Sequence, residues 1–244
     1  MSPDDAPLSD LTLPPHDTPA VVATPTGDGP WPGVVVLHDI LGMTTDLRQQ
    51  ALWLASEGFL AIAPDFFAHE RQPWCVLRAV RQILRRRGRA FEEVEAARAW
   101  LAARSDCTGR IGVIGFCLGG GFAVALAVDR GFDAASVNYG MVPKDAETFL
   151  AAACPIVGSF GGLDRSLLSS AERLEEVLTT HGIPHDVKIY PEATHAFMND
   201  HVPEEVPRWM LKADRLFGPT GHHAASAQDA RARILRFFRA HLEG

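Results

Sequence analysis

Short apolar runs and longer stretches of helical period alternate along this chain. Gly33-Val34-Val35-Val36-Leu37 is an unbroken, largely β-branched run, the pattern of a strand buried on both faces. Phe59–Ala63, Arg110–Ile114, Ala135–Tyr139, Pro155–Phe160 and Val187–Tyr190 have the same character, and Val21–Ala23 is a weaker early strand. Helices are predicted between them. Thr45 or Asp46 is placed to cap one running to Glu57, with Gly58 placed to end it. Residues 74–86, 90–104, 144–153 and 167–181 read as further helices, and 227–242 puts Ile234, Leu235, Phe237, Phe238 and Leu242 on one broad face. This alternation predicts an α/β domain with a mostly parallel central sheet and helices on both faces. One domain is expected over residues 1–244. About 1–18 is expected to be a flexible N-terminal segment, and about 201–225, rich in Pro, Gly and His, an irregular insertion near the site entrance.

The junction of one strand with the next helix carries the most chemical information. Gly115-Phe116-Cys117-Leu118-Gly119-Gly120 follows the 110–114 run and opens a helical run over 122–128. Strand, Gly-x-nucleophile-x-Gly turn and helix together make a nucleophile elbow, here with cysteine at its tip. Taken alone, such a turn also suits a helix-packing bend around a buried structural cysteine. Its downstream partners decide between the two. Gly161-Gly162-Leu163-Asp164 follows one later strand and Pro191-Glu192-Ala193-Thr194-His195 follows the last. Open α/β sheets build their sites at the C-terminal ends of strands, and the order nucleophile, acid, base is that of the α/β-hydrolase arrangement. Cys117 is therefore expected as nucleophile, Asp164 as orienting acid and His195 as base. The oxyanion hole is expected from the backbone N–H groups of Leu118, just after the nucleophile, and Ile40, in the loop His38-Asp39-Ile40-Leu41-Gly42-Met43.

Composition narrows the partners. The 244 residues carry a formal net charge of -7, which gives no basic footprint for nucleic acid. No apolar run approaches the roughly 20 residues of a bilayer span. The acidic start Met1-Ser2-Pro3-Asp4-Asp5 lacks the pattern of a signal peptide, so a cytoplasmic location is expected. The four cysteines, at 75, 107, 117 and 154, form no Cys-x-x-Cys pair and no disulfide framework. His222-His223 has no convincingly spaced third ligand, so neither metal nor cofactor is expected. The basic run Arg85-Arg86-Arg87-Gly88-Arg89 reads first as a solvated helix end. The expected partner is a small-molecule ester or lactone, with the chain a monomer or small homo-oligomer.

Together these residues resemble the dienelactone hydrolase family (carboxymethylenebutenolidase-like). The matching pieces are the cysteine elbow 115–121, the loop 38–42, Ala63-Pro64-Asp65-Phe66-Phe67, Gly162-Leu163-Asp164 and Tyr190-Pro191-Glu192-Ala193-Thr194-His195-Ala196-Phe197, in family order from about residue 20 to 242. The resemblance implies a single-domain α/β-hydrolase using a Cys-Asp-His triad on esters and lactones. Namesake members open dienelactones to maleylacetate. Two departures stand out. The family loop typically carries Glu where this chain has Asp39, an acid the resemblance places near the thiol. Members acting on dienelactone hold its carboxylate with arginines, one shortly after the catalytic histidine; here Ala196-Phe197-Met198-Asn199-Asp200 contains none. Asn199 cannot replace that charge, which predicts a loss of preference for carboxylated substrates. Phe66, Phe67, His69, Trp74, Arg78, Arg81, Phe197 and Asn199 are the candidate pocket residues, with Arg71 a further candidate cation.

Two other functions fit the fold class. A cysteine-dependent amidase of the glutamine amidotransferase type also uses a cysteine elbow, but typically carries Glu two residues after its histidine, where this chain has Phe197. A non-catalytic, ligand-sensing α/β-hydrolase fold is the other, and an intact nucleophile, acid and base argue against it.

Overall fold

The computed structural model describes residues 6–68, 74–207 and 221–243. Among them, eight strands form one sheet in the order β1-β2-β4-β3-β5-β6-β7-β8. In chain order these are β1 (Leu8–Leu13), β2 (Thr18–Ala23), β3 (Trp31–Leu37), β4 (Leu60–Pro64), β5 (Cys107–Phe116), β6 (Ala134–Asn138), β7 (Ile156–Gly161) and β8 (His185–Tyr190). The β1–β2 and β2–β4 pairings are antiparallel; every pairing beyond β4 is parallel. The helices are α1 (Thr45–Ser56), α2 (Trp74–Arg85), α3 (Arg89–Ala102), α4 (Leu118–Leu126), α5 (Ala146–Phe149), α6 (Leu168–Thr180) and α7 (Ala224–Leu242).

The central strands β3, β4, β6 and β7, and β5 from Ile111 onward, are buried because both faces of the sheet are covered there. On one face Phe91 and Leu101 of α3, Phe122 and Leu126 of α4, and Leu174 and Leu178 of α6 pack on the sheet. On the other, Leu47 and Leu54 of α1 meet Ile234 and Phe238 of α7. This is the α/β-hydrolase fold that the alternation predicts, and it sets the ends of β3, β5, β7 and β8 along one edge.

Three expectations change. The N-terminal segment contains an ordered strand: β1 pairs with β2 from Leu8↔Ala23 to Leu13↔Thr18. Its alternation is masked by Ser9, Asp10 and Thr12, with Leu13 buried and Leu11 half-buried. The N-cap of α1 is Thr44, whose Oγ1 accepts from Leu47 N at 3.3 Å, because Thr45 and Asp46 are bonded elsewhere. The helix expected over 144–153 shortens to α5 followed by a 3-10 turn at Leu150–Ala152. In the basic run, Arg86 pairs with Asp145 and Arg89 with Glu93. Of the irregular stretch, residues 201–207 hold one 3-10 turn, Pro203–Glu205. The central portion, 208–220, lies outside the described residues, as do His69 and Arg71.

Candidate active site

Cys117 alone joins β5 to α4, with φ 53° and ψ -111°. A non-glycine residue stays in that left-handed region only where its surroundings over-determine it. The Cys117 N–H donates to the Asn138 carbonyl (3.0 Å), and its own carbonyl accepts from Gly121 N (3.2 Å). The turn leaves no room for side chains on its flanks. A Cβ at Gly115 would run into the Gly119 carbonyl, and one at Gly119 into the carbonyls of Leu37 and His38. The second close approach sets the start of α4 against the end of β3. Leu118 and the Ile40 turn are thereby neighbours. Leu118 opens α4, where backbone N–H groups have no intrahelical acceptor.

The acid and the histidine arrive on two loops that bind each other. Gly162 N donates to the Tyr190 carbonyl (2.7 Å) and Leu163 N to the Ala193 carbonyl (3.0 Å), which fixes the end of β7 against the end of β8. Asp164 Oδ2 lies 2.7 Å from His195 Nδ1, while its Oδ1 accepts from Ser166 N (3.2 Å) and Ser166 Oγ (2.6 Å). Burial alone would raise the Asp164 carboxyl; the donors from His195 and Ser166 outweigh it and hold it below the ordinary range. Nδ1 of His195 is thus committed, leaving Nε2 for the thiol. Burial would push the imidazole down, but the hydrogen-bonded Cys117 sulfur and the Asp164 carboxylate raise it to about 10. The sequence-predicted nucleophile, base and acid are together.

Behind the histidine lies a buried polar chain that sequence reasoning missed. The Tyr139 ring stands edge-on to the His195 ring, centroids 5.3 Å apart. Its hydroxyl donates to Asn199 Oδ1 (2.5 Å), and Asn199 Nδ2 donates to Asp46 Oδ2 (2.6 Å). Asp46 Oδ1 also accepts from Asp200 N (2.8 Å), and Gln50 Nε2 donates to the Met198 carbonyl (3.0 Å). Burial, then the charges of Asp46, Asp39 and Cys117, raise the Tyr139 phenol well above its usual value, so it remains a donor. Helix α1 therefore grips the segment that follows His195.

The pocket residues sort into two groups. Phe197 is fully buried against Tyr139 and Tyr190, and Asn199 is spent on Tyr139 and Asp46. Both brace the histidine loop from behind, which corrects their placement in a pocket wall. Phe66 is likewise buried, its ring stacked on His38 at 3.6 Å. Phe67 stays half-buried, edge-on to the same imidazole. Trp74, Arg78 and Arg81 are exposed on α2, Trp74 by 72%. Burial holds the His38 imidazole below its ordinary value despite the carbonyl of Asp39 and nearby carboxylates.

Asp39 faces a partner the sequence did not announce. Its Oδ1 accepts from Leu41 N (2.7 Å), and its Oδ2 lies 2.8 Å from His201 Nε2. A histidine in an irregular stretch carries no periodic signal, and only the fold brings 201 to 39.

The profile of the dienelactone hydrolase family matches residues 18–242. A protein of Escherichia coli O157:H7, provisionally named carboxymethylenebutenolidase, is 29% identical over 98% of this chain and 89% of its own. The carboxymethylenebutenolidase of Pseudomonas putida is 26% identical over 75% of this chain and 81% of its own. Among solved structures, one described as a dienelactone hydrolase of Klebsiella pneumoniae superposes with TM-score 0.74 at 25% identity, covering 96% of this chain and 98% of that one. Thermogutta terrifontis esterase 2, at 15% identity and TM-score 0.65 over 98% of this chain and 95% of its own, shares the fold. No helix among the described residues is long and apolar enough to cross a membrane. By the extent of that family match this chain is a hydrolase that belongs to the dienelactone hydrolase family.

Proposed function

We propose that this protein hydrolyses small esters or lactones through a thioacyl intermediate on Cys117. The reading is carried by the 2.7 Å bond from His195 Nδ1 to Asp164, together with the pull of Cys117 on the same imidazole. His195 holds the thiol proton, and Asp164 keeps the ring oriented and stabilises its charge. The sulfur attacks the acyl carbonyl while the developing oxyanion is met by the Leu118 and Ile40 N–H groups. The carbonyl re-forms, the C–O bond breaks, and His195 passes its proton to the departing alkoxide. In a lactone that alkoxide stays tethered to the acyl group. Water then attacks the thioester and gives its proton to His195; the C–S bond breaks, the acid is released and the Cys117 sulfur is restored.

In this reading Phe67 and the α2 residues Trp74, Arg78 and Arg81 line the approach to the sulfur. The 196–200 segment offers no cation, and Asn199 is already engaged. No preference for carboxylated over neutral esters and lactones is therefore expected from this segment, with Arg78 and Arg81 the remaining cations of the approach. Assay of paired substrates with and without a second carboxylate tests this; a kcat/KM advantage of tenfold or more for the carboxylated member of each pair would overturn it. The nucleophile is tested by trapping: a p-nitrophenyl ester should leave an acyl group on Cys117, found by peptide mass spectrometry, and Cys117→Ala should abolish turnover. Full activity in Cys117→Ala sinks the proposal.

A further inference from the structure

The loop that presents the Ile40 amide is held by an ion pair from a distant part of the chain. Asp39 is only 6% exposed, and its acceptors serve the 38–42 turn and His201. Oδ1 takes Leu41 N, Oδ2 takes His201 Nε2, and the Asp39 carbonyl takes His38 Nδ1 (2.6 Å) and Gly42 N (3.4 Å). The 201–205 segment is tied down a second time. The Glu205 carboxylate accepts from Thr45 N (3.0 Å) and Thr45 Oγ1 (2.8 Å) at the start of α1. The two ties land on the loop after β3 that contains Ile40 and on the first residue of α1, just beyond it.

We propose that His201 is a positioning residue for the oxyanion donor: its imidazolium locks Asp39, and Asp39 fixes the direction of the Ile40 N–H. This rests on the assignment of Ile40 to the oxyanion hole. An acid that bonds the amide two residues ahead closes an Asx turn, and the peptide between is held rigid only while the carboxylate is held. A charged donor makes that hold stronger than a neutral one. The groups facing His201 are Asp39 from the β3 loop, Asp46 from α1 and Glu205 from its own segment. Burial lowers the His201 imidazole, but Asp39 first and then the other two carboxylates outweigh it and raise it above the ordinary value. Its Nδ1 is buried without a partner among the described residues, so no second hydrogen bond fixes the proton there. The lock is therefore complete below the raised pKa and weakens as pH climbs through it.

The test compares His201→Ala and His201→Gln with the wild-type chain. Glutamine keeps an N–H donor but neither charges nor titrates. Two readouts separate positioning from collapse of the site. Ester hydrolysis develops an oxyanion; alkylation of Cys117 by iodoacetamide displaces iodide and develops none. His201→Ala should lower kcat for p-nitrophenyl acetate on the order of 10-fold, less than the 10²–10³ lost when a donor is removed outright. KM should change little, and the Cys117 alkylation rate should be unchanged. His201→Gln should recover part of kcat, to the level the wild-type chain keeps once His201 is neutral, while losing one titration from the alkaline limb of the pH profile. Wild-type kcat in His201→Ala, equal slowing of alkylation and hydrolysis, or a wild-type pH profile in His201→Gln would each overturn the proposal. If His201→Ala fails to fold, His201→Gln alone decides through its pH profile. Should Cys117→Ala be inactive while His201→Ala is wild-type, only this inference falls; activity in Cys117→Ala removes the broader reading as well.

Discussion

Two aspartate–histidine pairs of nearly equal length arise from strands on opposite sides of β5. Asp164–His195, at 2.7 Å, comes from the ends of β7 and β8; Asp39–His201, at 2.8 Å, joins the β3 loop to the 201–205 segment. The difference lies at the far nitrogen of each ring. The His195 ring feels the charge of Cys117, whereas in His201 the far nitrogen is buried with no partner among the described residues. An imidazole between an acid and a nucleophile relays a proton. One held only by an acid fixes whatever backbone that acid supports. Residue type and distance alone do not separate the two roles.

The most forceful way to break this comparison is to remove the sulfur. Cys117→Ala should lower kcat on p-nitrophenyl esters on the order of 10⁴-fold or more, with the fold intact by circular dichroism. Asp164→Asn comes next. It keeps the shape but withdraws the charge that orients His195, and should cost about 10²–10⁴ in kcat. If the two pairs were interchangeable, Asp39→Asn would cost as much as Asp164→Asn; the positioning role allows it a tenfold loss on the scale of His201→Ala. Thiol labelling sharpens the contrast at smaller scale. Burial, then the charge of Asp133, pushes the Cys154 thiol up to about 12, and burial raises Cys75. Iodoacetamide at pH 6–7 should therefore mark Cys117 well before either, by an order of magnitude or more. Equal labelling in peptide mass spectra would count against an activated thiol at Cys117.

The same asymmetry explains what the sequence made legible. Cys117, Asp164 and His195 each follow a strand that the sequence announces, so order along the chain sufficed to place them at one end of the sheet. Most strands and helices were legible for the same reason. Asp46, Asn199, Tyr139 and His201 were not. Asp46 sits where a helix cap belongs, and its buried bonds to Asn199 and Asp200 exist only after α1 packs on the histidine loop. Phe197 and Asn199 lie close enough to His195 in sequence to look like pocket walls. The turn after the histidine, tied by the bond from Asn199 N to the Ala196 carbonyl (2.9 Å), directs them into the core instead. β1 escaped because an edge strand with one solvated face needs little apolar content.

The smallest expected effect is thermodynamic, and its sign follows from which partner is shifted. His195 is raised to about 10, so its interactions with Cys117 first and Asp164 next stabilise the fold fully below the unfolded histidine value near ~6.5. That contribution is lost as pH rises through about 10. Asp164 is lowered, so its share is present above the unfolded value near ~3.9 and disappears as pH falls through the lowered one. The pair should stabilise most between roughly pH 4 and 6.5 and fade on both sides. A hydrogen bond between charged groups contributes about 1.5–3 kcal/mol, and for a chain of this size each kcal/mol moves Tm by roughly 2–4 °C. The Tm gap between wild type and His195→Gln should accordingly be several degrees at pH 6 and shrink steadily toward pH 10. The gap for His201→Gln should also close on the alkaline side, since that imidazole is raised too. A gap for His195→Gln that stays flat from pH 6 to 10 would mean the ring holds no charge in the folded protein, and the line from carboxylate to sulfur would lose its electrostatic basis.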